Sequence, residues 1–198
     1  MIFQPTYFSP IYQFQQLVAT DTVIFETKDN FQKQTYRTRC SIYGANGKLS
    51  LNIPIKHNRG IRQTTREIKI ENAFPWQKNH FKSLENAYRS SPYFEFYEDD
   101  LRPLYETEYK YLLDFLFKTQ ELSFELLQLD ISYKKTNQYI AAYPLKEDFR
   151  FLAIAKSKQE FSVKEYTQVF QEKHGFIPNL SILDLLFNEG PNALSFLE

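Results

Sequence analysis

The chain has 198 residues, of which 42% are apolar and 24% charged, so it can form a folded domain with its own core and is not a disordered chain. Its single cysteine, Cys40, excludes an internal disulfide and a cysteine-based metal site. The net charge is zero, yet residues 28–69 carry ten basic against two acidic side chains, and the remainder carries fourteen against twenty-two. This basic segment, residues 28–69, is expected to attract phosphates or other anions, unless it docks on acids of the same chain such as Glu95, Glu98, Asp99 and Asp100.

The first predicted elements are a strand, a helix and a second strand. Residues 2–4 form a short apolar start, and Ser9-Pro10 marks the beginning of a helix that runs to Thr20. Residues 22–25 are apolar and partly β-branched, which is typical of a buried strand. This order predicts a βαβ unit with two parallel strands.

A β-hairpin is predicted next. Residues 38–43 and 49–55 flank the turn sequence Gly44-Ala45-Asn46-Gly47, and alternation from Leu49 to Ile55 indicates one buried face. A basic loop follows and is expected to run into a last short strand at 67–70.

The second half of the chain is predicted to be mainly helical. Ser162 with Glu165, and Ser181 with Asp184, have the spacing of helix-capping pairs, with Gly175 and Gly190 as the stops. The other expected elements are a helix beginning after Pro75, one longer helix carrying Leu101 to Leu116, a helical stretch at 122–129 and a strand at 131–133. The sequence therefore predicts an α/β protein: a small mixed sheet that starts with a βαβ unit plus a β-hairpin, followed by a mainly helical C-terminal half packed on it. We expect a single domain over 1–198, with a sheet-rich basic part (1–72) and a mainly helical part (73–198).

The segment Asp29–Arg39 has the densest chemistry in the chain. It follows a predicted strand, where loops of α/β proteins tend to carry binding sites. Arg37 and Arg39 would project to the same side of an extended chain, and paired guanidiniums suit a phosphate or carboxylate. A solvated strand face is the alternative. We expect the ligand-binding residues to be Gln4, Tyr7, Lys33, Tyr36, Arg37 and Arg39.

Two histidines are candidate catalytic bases. His57 lies between Lys56 and Arg59, and this cationic neighbourhood should keep its imidazole neutral. A role as a hydrogen-bond donor in a loop is equally compatible with its position. His80 shares a helical stripe with Trp76 and Leu84, where a core histidine is favoured over a catalytic one. No metal site is expected from the three histidines, which lie far apart in the sequence.

The chain resembles the WbqC-like family over nearly its whole length. The matching stretches are Gln4-Pro5-Thr6-Tyr7 with Pro10 and Tyr12, Asp29–Arg39, Leu51-Asn52-Ile53-Pro54-Ile55, Trp76 with His80, Ala87-Tyr88-Arg89 with Ser91-Pro92-Tyr93-Phe94, and Gly175–Asn188 with Gly190-Pro191. Residues 130–160 match least. The sequence departs from the family pattern at Thr38, at Asn79 and in the stretch between Tyr133 and Phe161, which is shorter than in longer members.

This resemblance implies a role in surface-polysaccharide or O-antigen production. The expected protein is an enzyme acting on a phosphate-containing sugar precursor, for example by acyl or aminoacyl transfer. A non-catalytic nucleotide- or anion-binding protein, or a partner of a polysaccharide-synthesis enzyme, is the alternative. Nucleic acid is disfavoured by the zero net charge. Neither a secretory signal nor a membrane span is expected, which predicts a cytoplasmic location. The sequence does not identify a cofactor or an oligomeric state.

Overall fold

A small parallel sheet organises the first half of the chain. The computed structural model describes residues 1–56, 60, 62–156 and 161–198. Strand β1 (Ile2–Phe3), helix α1 (Ile11–Val18) and strand β2 (Val23–Phe25) form the predicted βαβ unit, in which Ile2 pairs with Ile24 and Phe3 with Phe25. The third strand of this sheet, β5 (Tyr133–Lys135), pairs with β2 in parallel and comes from the second half of the chain.

The predicted hairpin forms a separate two-stranded sheet. Strands β3 (Arg39–Gly44) and β4 (Gly47–Asn52) are antiparallel around the Gly44–Gly47 turn. The buried face is less regular than the alternation suggested, because Leu51 is buried whereas Leu49 is 41% exposed. The short strand expected at 67–70 is replaced by a 3₁₀ turn at Thr65–Glu67 and by single bridges from Lys69 and Ile70.

Helices dominate the second half. Helix α2 (Trp76–Tyr88) begins where Pro75 predicts it, whereas the single helix expected around Leu101–Leu116 is two helices, α3 (Phe94–Glu106) and α4 (Leu112–Leu126). Residues 107–111 separate them, because Thr107 leaves helical geometry and Lys69 bridges to Tyr111. The stretch predicted at 122–129 is largely the end of α4. None of the helices in the described ranges is both long and apolar enough to cross a membrane.

The helix predicted from Ser162 to Gly175 is wrong, apart from its last turn. Only α5 (Gln171–His174) is helical, whereas α6 (Ile182–Glu189), capped by Ser181, is confirmed. The reason lies in the buried carboxylate of Asp184 on α6. Tyr166 donates a hydrogen bond of 2.5 Å to its Oδ2, Gln168 donates one of 3.0 Å, and Tyr88 of α2 donates one of 2.6 Å to Oδ1. These tertiary bonds hold the chain around Tyr166 and Gln168 outside helical geometry.

The expected fold class is confirmed. The helical half packs on the hairpin through α2 and α6, which both contact β3, and one apolar cluster includes residues from Phe3 to Leu197. The division into a 1–72 part and a 73–198 part stays a prediction.

Candidate functional site

The candidate site lies at the carboxyl ends of the parallel strands. Gln4 follows β1, Glu26 follows β2 and Thr136 follows β5, so three polar side chains lie at one edge of the sheet. Thr136 donates a hydrogen bond of 2.8 Å from Oγ1 to Oε1 of Glu26, which is fully buried. Ligand sites of open α/β sheets typically occupy this edge.

A buried network of four polar side chains forms beside β1. The guanidinium of Arg37 lies 2.8 Å from Oδ2 of Asp29, and its Nε donates to Oε1 of Gln4 over 3.2 Å. Gln4 in turn donates from Nε2 to Oδ2 of Asp29 over 3.0 Å, and Thr65 donates to Oδ1 over 2.8 Å. Arg37 also donates to the Thr65 hydroxyl. We refer to Gln4, Asp29, Arg37 and Thr65 as the Asp29 network.

Burial makes the charge pair in this network structurally important. Arg37 has no exposed surface and Asp29 is 4% exposed. Burial lowers the pKa of Arg37 from its ordinary value, while the neighbouring Asp29 carboxylate opposes that change. The guanidinium stays protonated, since an arginine keeps its proton even in the interior. The network therefore fixes the orientation of the Gln4 amide.

A second arginine fastens the loop that faces this network. Arg150 donates to Asp148 from Nε over 2.8 Å and from NH2 over 2.5 Å, and to the carbonyl oxygens of Ile140 and Ala141 over 2.8 and 3.2 Å. Its NH1 lies 3.6 Å from Oε2 of Glu26. Arg150 therefore joins residues 140–148 to the end of β2. We refer to this set of bonds as the Arg150 clasp.

Between the Asp29 network and this loop lies a cleft of about 430 Å³. Its base is polar, since the buried Gln4 and Asp29 lie there beside Asn30. Asp148 and Arg150 contribute to one wall, and the exposed Arg62 lies at the mouth. The other lining side chains are Phe31, Gln32, Tyr139, Ala141, Leu145, Phe151 and Ile154. Amide and carboxylate oxygens next to apolar walls suit a small polar organic ligand.

The carboxylate of Asp148 is held ionised in this cleft. Hydrogen bonds from Arg150 lower the pKa of Asp148 below its ordinary value, against a smaller opposing effect of burial. An ionised carboxylate is an acceptor only, so it suits hydroxyl groups of a ligand better than it suits proton abstraction near neutral pH.

His80 and Tyr7 form a different cluster. The hydroxyl of Tyr7 lies 3.0 Å from Nδ1 of His80 and 2.8 Å from the hydroxyl of Tyr105. Nε2 of His80 lies 3.1 Å from the carbonyl oxygen of Asn52, which can only accept, so Nε2 carries the proton and Nδ1 accepts from Tyr7. Burial lowers the pKa of His80 to about 4, and the Asn52 carbonyl opposes this shift. The imidazole is neutral at pH 7, and both of its nitrogens are hydrogen-bonded.

The predicted site residues are thus distributed over the molecule. Gln4 lines the cleft; Tyr7 and His80 lie in the buried cluster; Lys33 is exposed, Tyr36 buried and Arg39 half-buried. His57 lies outside the described residues. Their roles in binding or catalysis stay predictions.

The conformation expected for the paired arginines is not found. Tyr36 and Arg37 lie in a turn rather than in an extended strand, and Arg37 is buried against Asp29 while Arg39 begins β3. Arg39 is not among the side chains that line the cleft. The carboxylate that pairs with Arg37 belongs to Asp29, which lies in the same segment, Asp29–Arg39.

Other side chains of the basic segment line a second cleft. Lys56, Arg66 and Lys69 lie there with Tyr111, in a volume of about 730 Å³. Among the described residues, the acids of α3 do not form ion pairs with the basic segment. Glu95, Glu98 and Asp99 form their ion pairs with Arg89 and Arg102, which lie outside the basic segment.

Sequence reasoning missed the wall of the cleft. Leu145, Asp148, Arg150 and Phe151 lie in the stretch of weakest resemblance, where polar and apolar residues show no regular spacing. The local sequence signal for this wall is the spacing of Asp148 and Arg150, two oppositely charged residues two positions apart. Thr65 lies in the stretch predicted as a basic loop and was not among the predicted site residues.

Comparison with known proteins identifies a family and a relative of this chain. The model of the family described as "WbqC-like protein family" matches residues 4–157 and 137–196, two segments that overlap in the stretch forming the cleft wall. The "Uncharacterized protein Rv1507c" of Mycobacterium tuberculosis is 26% identical over 214 aligned residues, covering 93% of this chain and 90% of that protein. No solved structure matches.

Proposed function

We propose, from the premise that this chain belongs to the WbqC-like protein family, that it is an enzyme of surface-polysaccharide or O-antigen production acting on a phosphate-containing sugar precursor. The observation that carries the proposal is the cleft at the carboxyl edge of the parallel sheet, with the Gln4 amide fixed at its base by the Asp29 network. Acyl or aminoacyl transfer to the sugar is the reaction class to test first.

The chemistry of the cleft supports a sugar phosphate as ligand. The oxygens of Asp29 and Asp148 and the amides of Gln4 and Asn30 provide acceptors and donors for sugar hydroxyls. Arg62 at the mouth offers a fork of donors that matches a phosphate. The cleft volume of about 430 Å³ is within the range of small-molecule sites.

A thermal-shift screen with hexose 1-phosphates and nucleoside diphosphate sugars tests this proposal. A ligand at about 100 times its Kd should stabilise the protein by roughly 2.7 kcal/mol. Arg62→Ala should raise at least tenfold the ligand concentration that is needed for the same stabilisation. Arg66→Ala removes another exposed arginine, which lines the second cleft, and serves as the matched control. Stabilisation by none of these compounds, or equal loss in both variants, would contradict the proposal.

A non-catalytic binding protein is the second candidate. Among the described residues that line the cleft there is no Ser, Thr, Cys, His or Lys to act as a nucleophile or base. Incubation with acyl-CoA compounds and a sugar that binds, followed by mass spectrometry of the sugar, separates the two candidates. A product that disappears in His57→Ala, with binding retained, supports the enzyme; binding without any product supports the second candidate.

A further inference from the structure

Four apolar side chains of the cleft lining remain exposed to solvent. Tyr139, Leu145, Phe151 and Ile154 all line the cleft, and Leu145 is 95% exposed. Exposed apolar residues are common singly, whereas a cluster around a polar cleft indicates a binding surface. We refer to these four residues as the apolar rim.

The segment 139–154, which carries the apolar rim, is hydrogen-bonded to the rest of the fold at several points. Backbone hydrogen bonds join the amide of Ile2 to the carbonyl of Glu147 over 2.7 Å and the amide of Phe149 to the carbonyl of Ile2 over 2.8 Å. The amide of Tyr36 donates to the carbonyl of Ala153 over 2.8 Å. The Arg150 clasp adds an ion pair of 3.6 Å with the buried Glu26. The rim is thus carried by a segment that is bonded to the rest of the fold.

We infer that the cleft takes an amphiphile, with a phosphate-bearing headgroup inside it and a hydrocarbon chain along the apolar rim. This inference rests on the proposed function for the headgroup and adds a hydrocarbon chain to the ligand. A cleft of about 430 Å³ accommodates a headgroup of sugar size, so a long chain has to leave through the mouth and would lie on the rim. Arg62 at the same mouth favours a phosphate at the junction between headgroup and chain.

Other occupants fit these observations less well. A stable protein interface engages roughly 20–30 residues on each side, whereas the apolar rim has four members around a polar opening. A second copy of this chain would also cover Arg62, whose guanidinium needs solvent or an anion as its partner. A hydrocarbon chain covers the rim alone and leaves Arg62 to the headgroup.

Alkyl phosphates from methyl to octyl, each below its micellar concentration, test the inference by isothermal titration calorimetry. Each methylene buried on the rim should tighten binding up to about fourfold. Leu145→Ser should flatten this dependence on chain length. Because Leu145 is almost fully exposed, this variant should fold normally. Phe96→Ser, which removes a 75% exposed ring from α3, is the matched control and should keep the full dependence.

The outcomes separate this inference from the proposed function. A sugar phosphate that binds, together with an affinity independent of alkyl length, overturns the inference and leaves the proposed function in place. Long-chain phosphates that bind through Leu145, when no sugar phosphate binds, support the rim and overturn the proposed function. Sedimentation velocity completes the test: a dimer that Leu145→Ser dissociates would assign the rim to a second copy and overturn the inference.

Discussion

At the scale of single residues, the position of Arg37 changes what its charge can do. An arginine in a surface clamp is available to an anion from solvent, whereas Arg37 is buried and its charge is balanced by Asp29. The two residues lie in one short sequence segment, so their closeness could be predicted. Their burial could not, because it depends on Gln4 and Thr65, which reach the pair from other parts of the chain.

Replacing Arg37 should therefore affect stability before it affects binding. Arg37→Ala leaves the buried Asp29 carboxylate without its partner, and the free energy of unfolding should fall by about 3–5 kcal/mol. Urea unfolding followed by circular dichroism measures this loss. Asp29→Leu/Arg37→Leu removes both charges and should recover most of it. Arg39→Ala is the control, expected to lose less than about 1 kcal/mol; a similar loss in both single variants would contradict the role of the Asp29 network.

The Tyr7 hydroxyl is expected to stabilise the protein through His80. In Tyr7→Phe, Nδ1 of His80 and the hydroxyl of Tyr105 lose their buried partner, which should cost about 1–3 kcal/mol. Tyr133→Phe removes a half-buried hydroxyl that donates to Glu121 and should cost less. Thermal unfolding of both variants at pH 7 tests this. Equal stability of Tyr7→Phe and the unchanged protein would show that the cluster is not a structural unit.

At the scale of elements, two capping signals of the same kind have different outcomes. Ser181 begins α6, where its hydroxyl accepts from the amide of Leu183 and donates to the carbonyl of Phe8. Ser162 has an acid at the same spacing and begins no helix. Local sequence could predict α6 because its apolar residues face the core. It failed at 162–170 because Tyr166 and Gln168 bind Asp184, which lies further along the chain.

A pair of serine variants tests this difference. Ser181→Ala removes the cap and a buried hydrogen bond, so it should destabilise the protein by about 1–2 kcal/mol. Ser162→Ala changes an exposed residue outside any helix and should be within about 0.5 kcal/mol of the unchanged protein. Denaturant midpoints of the two variants give the comparison. A loss for Ser162→Ala as large as that for Ser181→Ala would mean that a helix begins at both positions.

At the scale of the whole molecule, sequence predicts the parts whose signals are local. The βαβ start, the hairpin and α2 follow from turn residues, Pro75 and apolar spacing, and the structure confirms them. A strand is predicted at 131–133, close to β5 (Tyr133–Lys135), but its place in the parallel sheet depends on contacts between distant parts of the chain, as the cleft wall does. Pairing of β5 with β2 joins residues more than a hundred positions apart, and no pattern within either strand specifies that partner.

Two buried groups should make the stability of the whole molecule depend on pH in opposite directions. Burial lowers the pKa of His80 to about 4, so its contribution is present above the unfolded value near 6.5 and is lost as the pH falls towards 4. Burial raises the pKa of Asp184 to about 6, against the opposing hydrogen bonds from Tyr166, Tyr88 and Gln168. Its ionised form is disfavoured by folding, so stability increases as the pH falls from 6 towards 4. Each effect amounts to about 3 kcal/mol, and the two should largely cancel in the unchanged protein.

Single variants remove this cancellation. In Asp184→Asn only the histidine effect remains, and the free energy of unfolding should fall by about 3 kcal/mol between pH 6.5 and pH 4 relative to the unchanged protein. In His80→Gln only the carboxylate effect remains, and the free energy should rise by a similar amount over the same interval. Urea unfolding at half-unit steps of pH measures both slopes, which do not depend on the overall stability of either variant. Parallel slopes for the two variants would show that neither group titrates in the folded protein as its burial implies.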